Sequence, residues 1–356
     1  MSPSPLLALP GAVAADPPDA GVAWHFGDPS REQRALLEGC GVVDRSHRDV
    51  LAVPGSDRLT WLHAITSQHL ESLGDDRGGE ALVLDPNGRV EHDLQLAHAG
   101  DTVWIDTEPG RGAELLAYLE KMRFFSQVEP ALVTDGWAVL SLAGPDTDAV
   151  LAAAGLPVPG PDLFDVRSAA DVIARRMPWP GPGAIDLLVP RPELAGVHER
   201  LRAAGATPAG TWAWEALRVA ARVPRLGCET DNRTIPHEID WVGVPGRPLA
   251  PVHLDKGCYR GQETVARVQN LGRPPRRLVL LHLDGSDSEL PVHGDEVILD
   301  GRAVGTIGTS ARHADLGPIA LAVVKRQVPD GAQLLVSGIA AAIDVPAGTP
   351  ASEPAA

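Results

Sequence analysis

Short apolar runs closed by turn residues alternate along the chain with segments in which large apolar side chains recur every third or fourth position. The first pattern marks strands, the second helices with one buried face. Asp28 and Pro29 supply an N-cap and a first turn, and Gly39 ends the helix they open. A strand over 50–53 runs into Pro54-Gly55-Ser56-Asp57, and a helix with Leu59, Trp61, Leu62 and Ile65 follows. The arrangement recurs as a strand over 138–142, then Gly144-Pro145-Asp146, then a helix with Val150 and Leu151. This echo predicts two related sub-structures within the first 210 residues.

Between the two units, strands over 80–84 and 90–96 flank Asp85-Pro86-Asn87-Gly88, a strong hairpin signal. A helix over 113–123 carries Leu115, Leu116 and Leu119 on one face. The segment 179–183 reads as a loop, Leu194, Val197 and Leu201 mark another helix, and Thr211 is expected to cap the next. Beyond residue 275 the pattern becomes short strands only: 278–283, 296–299, 303–307, 319–324, 334–336 and 339–343, with Asp300-Gly301 and Ser337-Gly338 as tight turns. The fold class is therefore α+β, a body of two related sub-domains with a small C-terminal antiparallel β-barrel. The expected division is a disordered tail over 1–20, the body over 21–250, a linking segment over 251–275, the barrel over 276–346 and a second tail over 347–356.

A chain of 356 residues with 44% hydrophobic and 22% charged positions can bury a core without staples. Its formal charge of -16 argues against bulk nucleic-acid binding, which needs a basic face. The three cysteines, Cys40, Cys228 and Cys258, have no paired spacing, which points to free thiols in a reducing, cytoplasmic setting. No apolar run approaches the ~18 residues of a membrane helix. The apolar stretch over 6–9 lacks a preceding Lys or Arg and is cut by Pro10, unlike a secretory signal.

Familiar nucleotide, zinc and serine-hydrolase signatures are absent from the sequence. One window stands out. Lys256, Arg260, Arg267, Arg273, Arg276 and Arg277 lie within 256–277, with Glu263 as the acid among them. Cys258 sits inside this window between Gly257 and Tyr259. Nearby cations favour a thiolate, so Lys256 and Arg260 mark Cys258 as the reactive cysteine. Cys40 and Cys228 have apolar or acidic neighbours and read as packed thiols. A solvated basic loop is the plain alternative for the window, an anionic ligand the sharper one.

Lys256-Gly257-Cys258-Tyr259-Arg260-Gly261-Gln262-Glu263 resembles the signature of YgfZ-type folate-binding proteins, in the superfamily of the glycine-cleavage T-protein, an aminomethyltransferase. Asp44-Arg45-Ser46-His47, Ile235-Pro236-His237-Glu238 and the 304–310 segment are similar to further parts of that superfamily. The resemblance spans about residues 24 to 345. It implies a tetrahydrofolate site. Asp93 aligns with an acid that faces the folate, which implies binding and catalytic roles, and Glu238 with an acid lining the cavity. Cys258 is implied as the essential thiol. Lys256, Tyr259, Arg260, Gln262 and Arg267 are implied as folate-binding, with the cations meeting its glutamyl tail. No metal ligand is expected. The implied role is an accessory one, supporting iron–sulfur proteins and tRNA-modifying enzymes as clients, without a membrane. Two alternatives stay open: a folate-dependent aminomethyltransferase, against which Ala220 replaces the family's pterin-holding glutamate, and a non-folate protein-interaction scaffold.

Overall fold

The computed structural model describes residues 3–181, 183–243, 250–286 and 289–345. The expected tail over 347–356 lies outside these residues. Helix α1 (Pro29–Glu38) begins at an Asp28 side chain that accepts from the Arg31 amide and stops at Gly39, as its cap residues dictate. The remaining helices are α2 (Arg58–Ile65), α3 (Gly112–Lys121), α4 (Thr147–Ala153), α5 (Leu194–Ala203), α6 (Thr211–Ala220) and α7 (Gln262–Leu271).

The repeat read from two short echoes extends through whole sub-domains. In the first, the Asp49–Pro54 strand leads into α2. A meander of Arg77–Leu84, Val90–Ala99 and Thr102–Thr107 follows, whose last strand returns beside the first. In the second, the Trp137–Ala143 strand, α4 and the Val166–Ala169, Val172–Arg176 and Ile185–Pro190 strands repeat that order. The sheets have five and six strands. Each buries its outer face under its own helices, with Leu62, Leu115 and Leu119 in one core and Leu151, Val197 and Leu201 in the other. Their inner faces meet through Val50, Ala97, Val139, Ile173 and Leu188. Polar residues share this inner interface, and they build the site.

The C-terminal strands close into a six-stranded barrel, because Arg276–Leu283 pairs with both Gly317–Lys325 and Ile339–Ile343. Helix α6 ties the parts together. One side packs on α1 through Leu36, Ala213 and Leu217, and Ala216 and Val219 pack on barrel residues Leu280, Ile319 and Leu321. Thr211 is its first helical residue, and Gly210 takes the cap position. Among the described residues no helix is long and apolar enough to cross a membrane.

Two expectations need correction. Residues 3–20 are packed against the body. Leu6, in a 3-10 turn capped by Ser4, is 2% exposed and belongs to the six-stranded sheet's core, and the Ser4 hydroxyl donates to Asp44. Apolar burial of Leu6 and the carboxylate of Asp19, bound to His47 and Arg225, hold the segment down. The linking segment over 251–275, for its part, contains α7, entered through Gly261 at a φ of 84°. Replacing Leu6 with Ala should cost about 2–5 kcal/mol, the range for emptying a buried leucine site. Chemical denaturation checks this, and an unchanged midpoint would return the segment to a loose tail.

Candidate functional site

Antiparallel register pairs Leu82 with Asp93 and Glu80 with Gln95. Alternation along both strands then puts Glu80, Asp93 and Gln95 on one face, toward the second sheet. That sheet offers Arg175 and Asp186 from neighbouring strands. Arg175 is fully buried and bridges the sub-domains, donating to Asp106 of the five-stranded sheet at 2.8 Å and to Asp186 at 2.9 Å. Arg48, in the turn before the Asp49–Pro54 strand, donates to Asp106 at 2.7 Å and Glu108 at 2.5 Å. Arg225 reaches Glu108 at 2.6 Å and Asp19 at 2.7 Å. Arg218 of α6 pairs with Glu215 at 2.8 Å and Glu229 at 3.0 Å, and reaches the barrel hydroxyl of Thr309 at 2.7 Å. The N-terminal segment, both sheets, α6 and the barrel therefore share one buried charge network.

The network divides its acids into two kinds. Burial alone would raise the Glu108 carboxyl, but Arg225, Arg48 and Arg45 outweigh it and hold it at about 2. Burial pushes Glu80 up to about 7, against hydrogen bonds from Gln95 and Asp93. Asp93 is raised well above the carboxylate range, by burial first and by the charge of Glu80 next. Among the described residues, Asp93 Oδ1, Gln95 Oε1 and Arg175 Nη1 are buried with no hydrogen-bond partner. Asp93 and Gln95 line, with Glu80 and Arg48, a cavity of about 20 Å³, room for a single water. A cleft of about 790 Å³ adjoins it and shares Glu108, Glu215 and Arg225 with its lining. Trp24 and Trp212 line the cleft, stacked at 4.7 Å, and Cys228 is a further lining residue.

Of the residues expected at the folate site, only Asp93 lines this cavity. Glu238 is buried at the barrel junction instead. Its oxygens take Arg276 Nε and Nη2, both at 2.7 Å, and the Ile235 amide at 3.1 Å, so it is committed to that junction. Lys256 donates to the backbone carbonyls of His63 and Thr66, and so caps the end of α2; burial lowers its ammonium to about 8. Its Nζ also lies 4.9 Å from the centre of the Tyr259 ring, whose phenol burial pushes up to about 12. Arg260 pairs with Glu91 at 2.8 Å and sits over the ring of Tyr118. The Gln262 side chain accepts from the Tyr259 amide at 3.4 Å, and Arg267 is exposed on α7.

The basic window thus does not converge on one anion pocket. Its cations Lys256, Arg260 and Arg276 are bound to carbonyls or carboxylates. Cys258 is the exposed cysteine, whereas Cys40 is buried and pushed up to about 11 and Cys228 to about 12, burial being the main cause in each. The residues that sequence reasoning missed are Glu80, Arg48, Arg175, Glu215 and Arg225. The available signal was a charge inside a segment patterned for burial, as in Val172-Ile173-Ala174-Arg175 and Trp104-Ile105-Asp106.

Replacing Arg225 with Met should weaken folding at neutral pH, because Glu108 and Asp19 would lose their shared cation. The acid limb of the stability curve should also flatten. Glu108 is depressed in the fold, so its stabilisation is present above the ordinary carboxylate value and fades as pH falls toward about 2. Urea melts at stepped pH values check this, and an identical acid limb in the variant would contradict it.

A family model described as the GCVT N-terminal domain matches residues 22–242. An aminomethyltransferase of Rubrobacter xylanophilus is 27% identical over 86% of this chain and 81% of its own length. A chloroplastic protein of Arabidopsis thaliana named as a transferase is 26% identical over 86% of this chain and 70% of its own length. The crystal structure of the glycine cleavage system aminomethyltransferase T from Bartonella henselae superposes with a TM-score of 0.82 at 20% identity, covering 96% of this chain and 95% of that one. With its repeated sub-domains, closed barrel and matched body, the chain belongs to the GCVT family and has the aminomethyltransferase-like fold.

Proposed function

We propose that this chain is a tetrahydrofolate-binding accessory protein of the YgfZ type, with a ligand cleft inside and a working thiol outside. The observation that carries the reading is the separation of the two. Asp93 lines the inner cavity with an unpartnered buried oxygen, while Cys258 is exposed on a segment that lines neither the cavity nor the cleft. That segment is held rigidly at both ends, by Lys256 on the end of α2 and by the buried ring of Tyr259. Family membership and relatives named as aminomethyltransferases support a folate ligand.

The residues fit such a ligand. A cleft of about 790 Å³ lies within the roughly 300–1,000 Å³ of small-molecule sites. Trp24 and Trp212 give it aromatic walls, and the adjoining small cavity carries unpartnered acceptor oxygens on Asp93 and Gln95, toward which the N–H edge of a pterin in the cleft would be directed. Glu215 and Arg225 stand where cleft and cavity meet. Bound reduced folate would supply nitrogens able to carry a one-carbon unit. The chain's own part is to orient the ring, exclude water and hold a proton near Asp93.

Cys258 would then serve iron–sulfur proteins, tRNA-modifying enzymes among them, as a thiol presented to a second molecule. Aminomethyl transfer is the second reading, favoured by the names of the relatives and disfavoured by Ala220 at the place of the pterin-holding glutamate.

Titration calorimetry with tetrahydrofolate separates the parts. Asp93→Ala should weaken binding by on the order of 1–3 kcal/mol, one hydrogen bond to a buried polar partner. Glu238→Ala should leave affinity unchanged and lower stability, because Arg276 loses its buried partner. Cys258→Ser should bind folate like wild type yet fail to complement a deletion strain, with Cys40→Ser and Cys228→Ser rescuing it. Unchanged affinity for Asp93→Ala, or full rescue by Cys258→Ser, would sink the corresponding half of the reading.

A further inference from the structure

Glu80 and Asp93 are diagonal neighbours on one sheet face, one pairing step apart in the hairpin. Their side chains line one small cavity together with Gln95, close enough for each carboxyl to act on the protonation of the other. Two carboxylates in contact and out of water cannot both be ionised without a dedicated cation. The charged groups facing them are Arg48 from the turn before the Asp49–Pro54 strand, Glu108 from the end of the Thr102–Thr107 strand and Arg175 from the opposite sheet. Both arginines already hold carboxylates of their own: Arg48 on Asp106 and Glu108, Arg175 on Asp106 and Asp186. Beyond them, Arg45 approaches Asp186 at 3.9 Å and Arg225 takes Asp19 and Glu108. Among the described residues neither Glu80 nor Asp93 has an ion pair to offset its charge.

Glu80 differs from Asp93 in access. It is partly exposed and lines the cavity, whereas Asp93 is buried. Asp93 keeps one oxygen unpartnered, Oδ1, as the natural contact for a ligand.

We propose that Glu80 and Asp93 act as a single proton-exchanging pair, sharing one proton at neutral pH. Asp93 meets the N–H edge of a heteroaromatic ligand, and Glu80 is the positioning residue that takes up or returns the proton. The step balances within the site. A ligand nitrogen that gives up its proton leaves its electron pair on nitrogen, the ionised oxygen of the pair receives the proton, and both carboxyls are then neutral. The reverse step hands the same proton back. Naming the ligand as tetrahydrofolate rests on the folate reading above; the shared proton itself does not.

Infrared spectroscopy of the full chain tests the pair without any ligand. Wild type should show a carboxylic-acid C=O band at neutral pH that fades as the pH rises further. Glu80→Gln and Asp93→Asn, which keep size and hydrogen bonding, should each lack that band at neutral pH. The same pair should appear in stability. Carboxyls raised in the fold contribute stability that is intact below the ordinary carboxylate value and lost as pH rises through the raised one. The folding constant of Glu80→Gln relative to wild type should therefore climb with pH, by up to about tenfold per unit for one proton, between roughly pH 4 and 7. A band that persists in both variants, no band in wild type, or a flat ratio across that window would overturn the proposal. With tetrahydrofolate added, calorimetry in buffers of different ionisation enthalpy should register proton exchange in wild type and none in Glu80→Gln. If wild type binds no tetrahydrofolate, the folate reading fails, and the infrared and stability results still decide the pair.

Discussion

Arg175 lies between two sheets with no access to solvent, and everything around it follows from the need to neutralise it. Asp106 of one sub-domain and Asp186 of the other take its charge, so the repeats are joined by a bridge that neither could make alone. Asp106 recruits Arg48, Arg48 recruits Glu108, and Glu108 recruits Arg225, which reaches the N-terminal segment at Asp19. Removing one member of such a chain leaves a buried charge uncompensated, at a cost of about 3–5 kcal/mol. Replacing the whole set by apolar residues could be neutral, so the network is better understood as fixing geometry than as adding stability. What it fixes is a polar floor beside an open cleft. Glu80 and Asp93 are the acids on that floor for which no arginine remains, and their raised protonation is a consequence of the same accounting.

The internal repeat explains where this floor can form. Each sub-domain covers its outer sheet face with helices, so the two inner faces are left to pack on each other. Aliphatic residues such as Val50 and Val139 close part of that interface, and charged residues close the rest. Helix α6 and the barrel then seal one side, with Arg218 reaching across to Thr309. The Cys258 segment attaches elsewhere, to the tip of the Asp85–Gly88 hairpin turn. Gly88 adopts a φ of 78°, and a side chain there would come within 2.7 Å of Thr264, so only glycine lets the segment dock. One hairpin therefore carries both centres, the carboxyl pair on its inner face and the cysteine segment at its turn.

Much of this fold is legible in the sequence because it is local. The α1 caps, the Asp-Pro-Asn-Gly turn and the tight turns of the barrel are written in adjacent residues, and the strand–Gly-x-Asp–helix echo revealed the repeat. The N-terminal segment is the exception: Leu6, Leu7 and Leu9 between Pro5 and Pro10 are too few to set a period, and the burial of Leu6 depends on partners far along the chain. The site was legible only at Asp93. Lys256, Arg260 and Glu238 look like ligand groups in a linear reading because nearby cations and acids suggest a pocket, but their partners, the carbonyls that end α2, Glu91 and Arg276, lie elsewhere in the sequence. Glu80 and Arg175 show the converse. Each is a charge in a strand patterned for burial, and only the register of two hairpins brings them to one place.

The claim on which the account turns is that ligand and thiol occupy different places. Hydrogen exchange of the full chain with and without tetrahydrofolate reads this directly. Bound ligand should slow exchange in the loops that line the cleft, 108–111 and 225–228, and leave 254–272 as it was. Protection confined to 254–272, with the cleft loops unchanged, would place the ligand on the cysteine segment and contradict the account.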